Sequence, residues 1–485
     1  MRILYIIIGL VFVMGIFACS DDTGNYDYRE LNKVTLSGLA NEYSVDQYDT
    51  LRINDLELNF SIKENADLSY EWVMRRANSD LNTARVVSTG RDCKGYIEEK
   101  PGLYNAYLCV TDQANDLKYY HEFNVNVNAV WANGLFVLSE AKDGTAVLSM
   151  QRRDKPDAPL KYDVFEMNNP DFGQLGRKPV QVYEGGTGGG VYIVCQEGER
   201  KLLKLNEDDL KLLQYWDEST VGDYSGTLVP EYFSNEQGYG NGMVLSEGKL
   251  FLFNYADNNT LYRPIEGYDF SWVGTSPSLA TSYYYAFDKT SQTFKKLEKN
   301  KNPLLYDKVT TLEELNSAGQ TYLASGIMKT GDYDWIQYPV LYDPTTGMEH
   351  YYEIHIGGDY NDNWEYIMFF NYSEKMTRTA TLDKDGVCLL SKNSYWYASQ
   401  GNKVIRYFFS GTSVAQDWIT NLKGTVTEMI FGNDESRIFV ATYDGAKSYI
   451  YEIDARNANN HLNDPIELEG KVVSLCVVNG YKWEY

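Results

Sequence analysis

Reactive side chains are scarce. The 485-residue chain holds only four histidines (His121, His350, His355 and His461) and six cysteines. His350 and His355 are five apart on a strand-like run, so they point to opposite faces and do not form a shared metal site. No HExxH, GxxxxGK[ST], GxSxG or DxDxDG segment occurs. The local signatures of zinc peptidases, P-loop nucleotide hydrolases, serine hydrolases and EF-hands are therefore missing. The glycine-rich run Gly185 to Gly190 opens a strand rather than a helix and lacks the following Lys-Ser/Thr, so it reads as a flexible entry and not as a phosphate cradle. Basic residues are outnumbered, with 44 Lys and Arg against 68 Asp and Glu and a net charge of −24. That balance excludes the basic patch a nucleic-acid partner needs, disfavours resting on anionic lipid and suits solubility at an outer surface. Helical signals are equally thin; Thr310-Thr311-Leu312-Glu313-Glu314-Leu315 is the one short helix expected, with a Thr cap.

Apolar runs long enough to cross a bilayer are also missing. The run from Leu4 to Ala18, behind Arg2, has the length of a signal-peptide core and is too short to span. It ends Ile16-Phe17-Ala18-Cys19, which resembles a lipobox, with residues 1–18 removed and Cys19 carrying the lipid. The acidic run Ser20-Asp21-Asp22 behind it resembles a surface-export signal. Residues 19–26 then form a lipidated acidic linker, and the protein is expected to be anchored to the outer membrane, facing the exterior, rather than to span it. Without Cys19 five cysteines remain, so a complete disulfide set is impossible. Cys93 and Cys109 share a segment and could pair; Cys195, Cys388 and Cys476 sit in apolar runs and read as small buried hydrophobes.

What the chain has in quantity is tyrosine, 42 of them, with 9 Trp and 19 Phe, in stretches alternating with period two and punctuated by Gly, Asn and Asp. Residues 27–129 form a first unit. Leu56, Leu58, Phe60 and Ile62 alternate, as do Leu68, Tyr70, Trp72 and Met74, then Tyr104, Ala106, Leu108 and Val110. A Trp on a middle strand and a later Gly-x-Tyr strand point to an immunoglobulin-type β-sandwich. Residues 130–485 carry a weak strand–turn–strand repeat. Copies run Ser282 to Leu297, Pro339 to Ile354, Glu435 to Asp454 and Gly189 to Tyr215, with Gly248 to Phe253 and Ser394 to Phe409 as further members. A spacing of about 45–55 residues is that of a four-stranded blade, which predicts an all-β propeller of about seven blades, with six or eight as alternatives. Pairing of Val472 to Val478 with the hairpin Leu135 to Met150 would close it. The rival arrangement is a pair of further sandwiches in series.

Together the lipobox with Tyr26-Asp27-Tyr28, the sandwich ending Leu108-Cys109-Val110-Thr111-Asp112, and the junction Trp131 to Glu140 resemble the PKD-like lipoproteins of Bacteroidetes. That resemblance implies an accessory role beside a SusC/SusD-type TonB-dependent importer, capturing a glycan or oligopeptide.

For chemistry, paired carboxylates could run glycan hydrolysis or lysis, but 68 acidic residues nominate no pair, so no catalytic residue is assigned and binding is preferred over a surface hydrolase or lyase. No cofactor is expected. Asp359 to Glu365 alternates oxygen ligands as Ca²⁺ loops do but lacks the EF-hand Gly and distal Glu, which favours a plain exposed turn. Three segments set Trp among polar turn residues and are the candidate ligand-binding loops, expected at one mouth of the ring. They are Tyr268, Asp269 and Trp272; Asp332, Tyr333, Asp334 and Trp335; and Asn361, Asp362 and Trp364. The competing reading is that each Trp plugs its own blade.

Overall fold

Alternation of apolar and polar residues yields strands almost throughout the computed structural model, which describes residues 33–62, 67–77, 83–131, 133–155, 158–184, 190–221, 224–235, 241–254, 260–274, 283–299, 306–329, 335–360, 366–409, 413–432, 435–457 and 464–478. The chain divides into one unit ending at Asn128 and another beginning at Ala129.

The first unit is a sandwich. One layer is a five-stranded sheet in the spatial order Glu42–Asp46, Leu117–Asn128, Gly102–Asp112, Leu68–Arg76, Arg85–Ser88. Facing it are two strand pairs, Val34–Ser37 with Glu57–Phe60 and Thr50–Ile53 with Cys93–Tyr96. Leu51, Ile53 and Leu56 from one layer meet Trp72, Leu108 and Val125 from the other. Burying an indole requires a partner for its N–H, and Trp72 Nε1 donates to Gly90 O at 2.8 Å. The Tyr104 hydroxyl returns to Lys100 O at 2.7 Å, the corner bond of immunoglobulin-type sandwiches. Cys93 and Cys109 are both buried and free.

In the second unit the described residues form six four-stranded sheets and one three-stranded sheet, here lettered A to G. Sheet A combines Gly134–Glu140 and Ala146–Arg152 with the distant strand Lys471–Val478. Sheet B holds Arg177–Glu184, Val191–Glu197, Leu202–Leu205 and Leu212–Trp216, and sheet C holds Pro230–Asn235, Asn241–Ser246, Lys249–Asn254 and Thr260–Leu261. Sheet D is Phe270–Gly274, Tyr283–Asp288, Thr293–Lys299 and Tyr306–Thr311; sheet E is Thr321–Lys329, Trp335–Asp343, Met348–Tyr360 and Tyr366–Thr379. Sheet F is Cys388–Leu390, Tyr395–Gln400, Lys403–Phe408 and Gln416–Ile419; sheet G is Thr425–Phe431, Arg437–Tyr443, Lys447–Asp454 and Ile466–Glu469. Every adjacent pair within these sheets is antiparallel.

Each sheet packs on the next through an apolar seam, and the last packs on the first. Phe136 meets Ile193 between A and B, and Tyr192 meets Phe233 between B and C with ring centroids 4.9 Å apart. Met243 lies against Tyr284 between C and D, and Phe294 against Tyr352 between D and E at 5.2 Å. Tyr351 packs on Trp396 between E and F at 5.4 Å, and Tyr397 on Phe431 between F and G at 5.9 Å. Leu135 and Phe439 close the circle between A and G. Fully burying one such side chain stabilises by about 1.5–3 kcal/mol, which accounts for the chain's wealth of Tyr and Phe. The fold is thus β-propeller-like, and the rival of further sandwiches in series does not describe it.

Three local expectations are corrected. Residues Tyr306–Thr311 form the outer strand of sheet D, and Leu312 and Leu315 turn inward to its seam with sheet E, where the pattern of 310–315 had suggested a helix. A helix does occur at Val164–Asn168; Asp163 caps it, accepting from the Glu166 N–H. The copy Gly189 to Tyr215 was out of phase, because its turn at Asn206 to Asp209 joins the third and fourth strands of sheet B.

Candidate functional site

The first strands of the sheets all start at one end of the ring, where the turns between second and third strands also lie. Glycines fit these turns to the next sheet. Gly144, Gly248 and Gly401 each have positive φ, and their carbonyls accept from Lys178, Phe270 and Val426 N–H groups at 2.8, 2.7 and 2.9 Å.

This end, the mouth, holds a depression of about 890 Å³ bounded by Asp385, Gly424 to Thr427, Tyr443 to Gly445 and Lys471 to Val473, a volume in the range of small-ligand sites. Its walls come from three sheets. Asp385 leads into sheet F, Gly424 and Thr425 open sheet G, Tyr443-Asp444-Gly445 is the second turn of G, and Lys471 starts the strand that closes sheet A.

Local chemistry fixes these walls. Asp444 Oδ1 accepts from Ala446 and Lys447 N–H groups, both at 2.8 Å, and Tyr449 donates to Oδ2 at 3.0 Å. The N–H groups of Lys447 and Ala446 hold the Asp444 carboxyl below the usual range. The Tyr443 hydroxyl donates to Gly445 O at 2.8 Å. Gly424, at φ +79, lies so close to the turn that a Cβ would come within 2.4 Å of the Tyr443 carbonyl. The buried Ser448 hydroxyl donates to Gly470 O at 2.8 Å and accepts from Val472 N–H at 2.9 Å, fixing the backbone on both sides of Lys471.

Against these anchored groups, the Lys471 ammonium and the Asp385 carboxylate are both exposed, and among the described residues neither side chain has a hydrogen bond or ion pair. Thr425 and Thr427 add hydroxyls, the latter donating weakly to Ala441 O at 3.5 Å. The site can therefore offer a cation, an anion, hydroxyls and the partly exposed side chain of Val473.

Further along the first strands the groups are of another kind. Burial pushes the thiols of Cys388 and Cys476 up to about 12, so both stay protonated near neutrality and are poor nucleophiles. Burial also raises the half-buried Glu428 carboxyl from 4.5 to about 7, against one lowering contact from the Met429 N–H.

The described residues that flank the predicted loops lie at different ends of the ring. Tyr268 and Asp269 precede the first strand of sheet D and lie at the end that carries the depression. There Asp269 pairs with Lys289 at 2.8 Å, and Tyr268 stacks on Phe270 at 5.4 Å. Trp272 is corrected as a ligand contact. It is 6% exposed and packs edge-on to Phe294 at 6.0 Å and against Tyr322 at 6.5 Å, which is the plugging role. The strand ends Lys329 and Trp335, and Tyr360 and Tyr366, lie at the opposite end of the ring. Asp332, Tyr333, Asp334, Asn361, Asp362 and Trp364 fall outside the described residues, as do Cys19, Ser20, Asp21 and Asp22.

The residues that do meet, Asp385, Thr425, Tyr443 and Lys471, were not singled out from sequence. Tyr443 ends the first strand of the copy Glu435 to Asp454, but only ring closure shows what it faces. The signal available was positional, since each lies at a first-strand start or a second turn of its sheet.

No curated protein matches the sequence. Among solved structures, a quinonprotein alcohol dehydrogenase-like protein from Bacteroides thetaiotaomicron is 12% identical, with 93% of this chain and 100% of that chain covered and a TM-score of 0.45. A putative 6-phosphogluconolactonase from Bacteroides fragilis is 15% identical over 73% of this chain and 99% of that one, with a TM-score of 0.47. A periplasmic gluconolactonase from Pseudomonas aeruginosa is 11% identical over 72% and 99%, with a TM-score of 0.46. Residues 19–179, which take in the sandwich and the opening strands of the ring, match the model of the PKD-like family.

Proposed function

We propose that the chain is an outer-membrane lipoprotein, displayed at the cell surface, that binds a small nutrient without transforming it and hands it to a SusC/SusD-type importer. The ring is read as seven blades, with sheet A assembled from both ends of the unit. The observation that carries the binding reading is the mouth depression, where the unpaired Lys471 cation, on backbone fixed by Ser448, shares a rim with the unpaired Asp385 carboxylate, in the turn closed by Gly386 N–H on Asp383 O at 2.9 Å. Rigid positioning with unsatisfied polar groups is what a binding site needs. The anchoring role rests on the lipobox and the acidic run behind Cys19.

The test is calorimetric titration of oligopeptides and oligosaccharides into the purified soluble chain, with mass spectrometry of the recovered ligand. Saturable binding with the ligand recovered intact is expected. Isolation of the full lipid-anchored protein from membranes should bring down a TonB-dependent transporter; its absence would remove the importer from the reading.

Hydrolysis or lysis of a glycan is the second reading, favoured by Glu428. It shares a strand with Thr425 and Thr427, and a carboxyl raised to about 7 is in the range of a general acid. Shortened products that vanish in Glu428→Gln would establish this reading in place of the first.

A further inference from the structure

The groups left free at the mouth say more about the ligand than that it is polar. Lys471 and Asp385 are opposite charges on one depression, and neither side chain makes a hydrogen bond or ion pair among the described residues, although Glu140 stands opposite Lys471 on the next strand. The third charge in the lining, Asp444, is already held by two backbone N–H groups and the Tyr449 hydroxyl, so it serves the wall. A neutral glycan would use hydroxyls and leave the Lys471 ammonium without a direct ionic contact. A net-anionic ligand could pair with Lys471, but it would approach a chain of net charge −24 and meet the Asp385 carboxylate in the same pocket. A ligand carrying one positive and one negative pole has neither penalty.

We propose that the depression binds a zwitterion with a free α-ammonium and a free carboxylate, namely a short peptide or an amino acid. The carboxylate lies on the Lys471 ammonium, and the α-ammonium lies on Asp385. The Thr425 hydroxyl donates to, or accepts from, the amide in between, and the partly exposed Val473 faces the aliphatic part. The pocket volume of about 890 Å³ accommodates a peptide of about three residues, whose extended length is about 10 Å. The inference rests on the binding reading above and narrows it to one chemical class.

The experiment titrates the intact soluble chain with trialanine, with its N-acetyl and C-amide derivatives, and with alanine, maltotriose and galacturonate. Trialanine or alanine should bind, the stronger of the two distinguishing peptide from amino acid. Acetylation and amidation should each weaken binding about tenfold or more, and 0.5 M salt should weaken it further. Lys471→Met should lose the same factor for trialanine and become indifferent to amidation; Asp385→Asn should become indifferent to acetylation. Both positions are exposed, so the variants should unfold at the wild-type temperature. Trialanine and alanine failing to bind, or binding without regard to blocked termini or to either variant, would overturn the zwitterion. Maltotriose or galacturonate binding in that case would keep the binding reading and discard only this narrowing. If no probe binds, both fall.

Discussion

The hydroxyl of Ser448 brackets Lys471 by donating to the carbonyl before it and accepting from the N–H after it. One buried side chain on sheet G thus sets where the mouth cation stands on sheet A. Ser448→Ala leaves two buried backbone groups without partners and should destabilise the chain by about 1–3 kcal/mol. Urea unfolding measures this, and ligand affinity at a temperature where the variant stays folded should fall with it. Unchanged affinity would separate the bracket from binding.

Gly424→Ala should be worse than an ordinary surface change. The residue has φ +79, and its new Cβ would lie 2.4 Å from the Tyr443 carbonyl. Left-handed strain alone costs about 1–3 kcal/mol, and the clash must also push the turn outward. A lowered unfolding midpoint together with weakened binding is expected.

Much of the ring was legible beforehand. Hairpins such as Pro339 to Ile354 and Glu435 to Asp454 carry strong period-two alternation with Asp at the turn, so local pattern alone marked the strands. The site was not legible, because its residues are distant in sequence and become neighbours only through the order of sheets. Trp272 misled for a physical reason. Its neighbours Asp269 and Ser271 are polar, but strand alternation at Phe270–Gly274 turns the indole inward. At 310–315, helix-favouring Leu and Glu residues were overridden by pairing of Thr310 with Lys296 and Thr311 with Lys295 in sheet D, and by burial of Leu312 and Leu315.

Trp272→Ala should therefore act on stability. A cavity between sheets D and E of this size costs about 3–5 kcal/mol, read as a drop in melting temperature. Ligand affinity below the transition should stay as in the wild type.

Glu428 gives a pH signature. Its folded pKa of about 7 stands above the ordinary 4.5, so between those values the folded chain binds more protons than the unfolded one. Its contribution is full below pH 4.5 and is lost as pH rises towards 7. Glu428→Gln should flatten that part of the stability–pH curve, measured by denaturant midpoints across the window.

Glu452 links the outer ends of sheets A and G. Arg153 reaches it through two bonds of 3.0 and 2.6 Å, and Arg437 also donates to it. Glu452→Ala strands both guanidinium groups and should cost about 3 kcal/mol, whereas Arg153→Met, which leaves Arg437 in place, should cost less. Equal losses would show that the pair acts through packing of Arg153 on Phe439.

Sheet A draws one strand from Lys471–Val478 and two from Gly134–Arg152, so its completion waits for the most distant contact in the unit. Lys471 belongs to that late strand. A partly synthesised chain can carry six finished sheets and still lack the ammonium at the mouth. On the proposed reading, ligand capture belongs to the finished molecule alone, and occupancy of the mouth would report that assembly is complete.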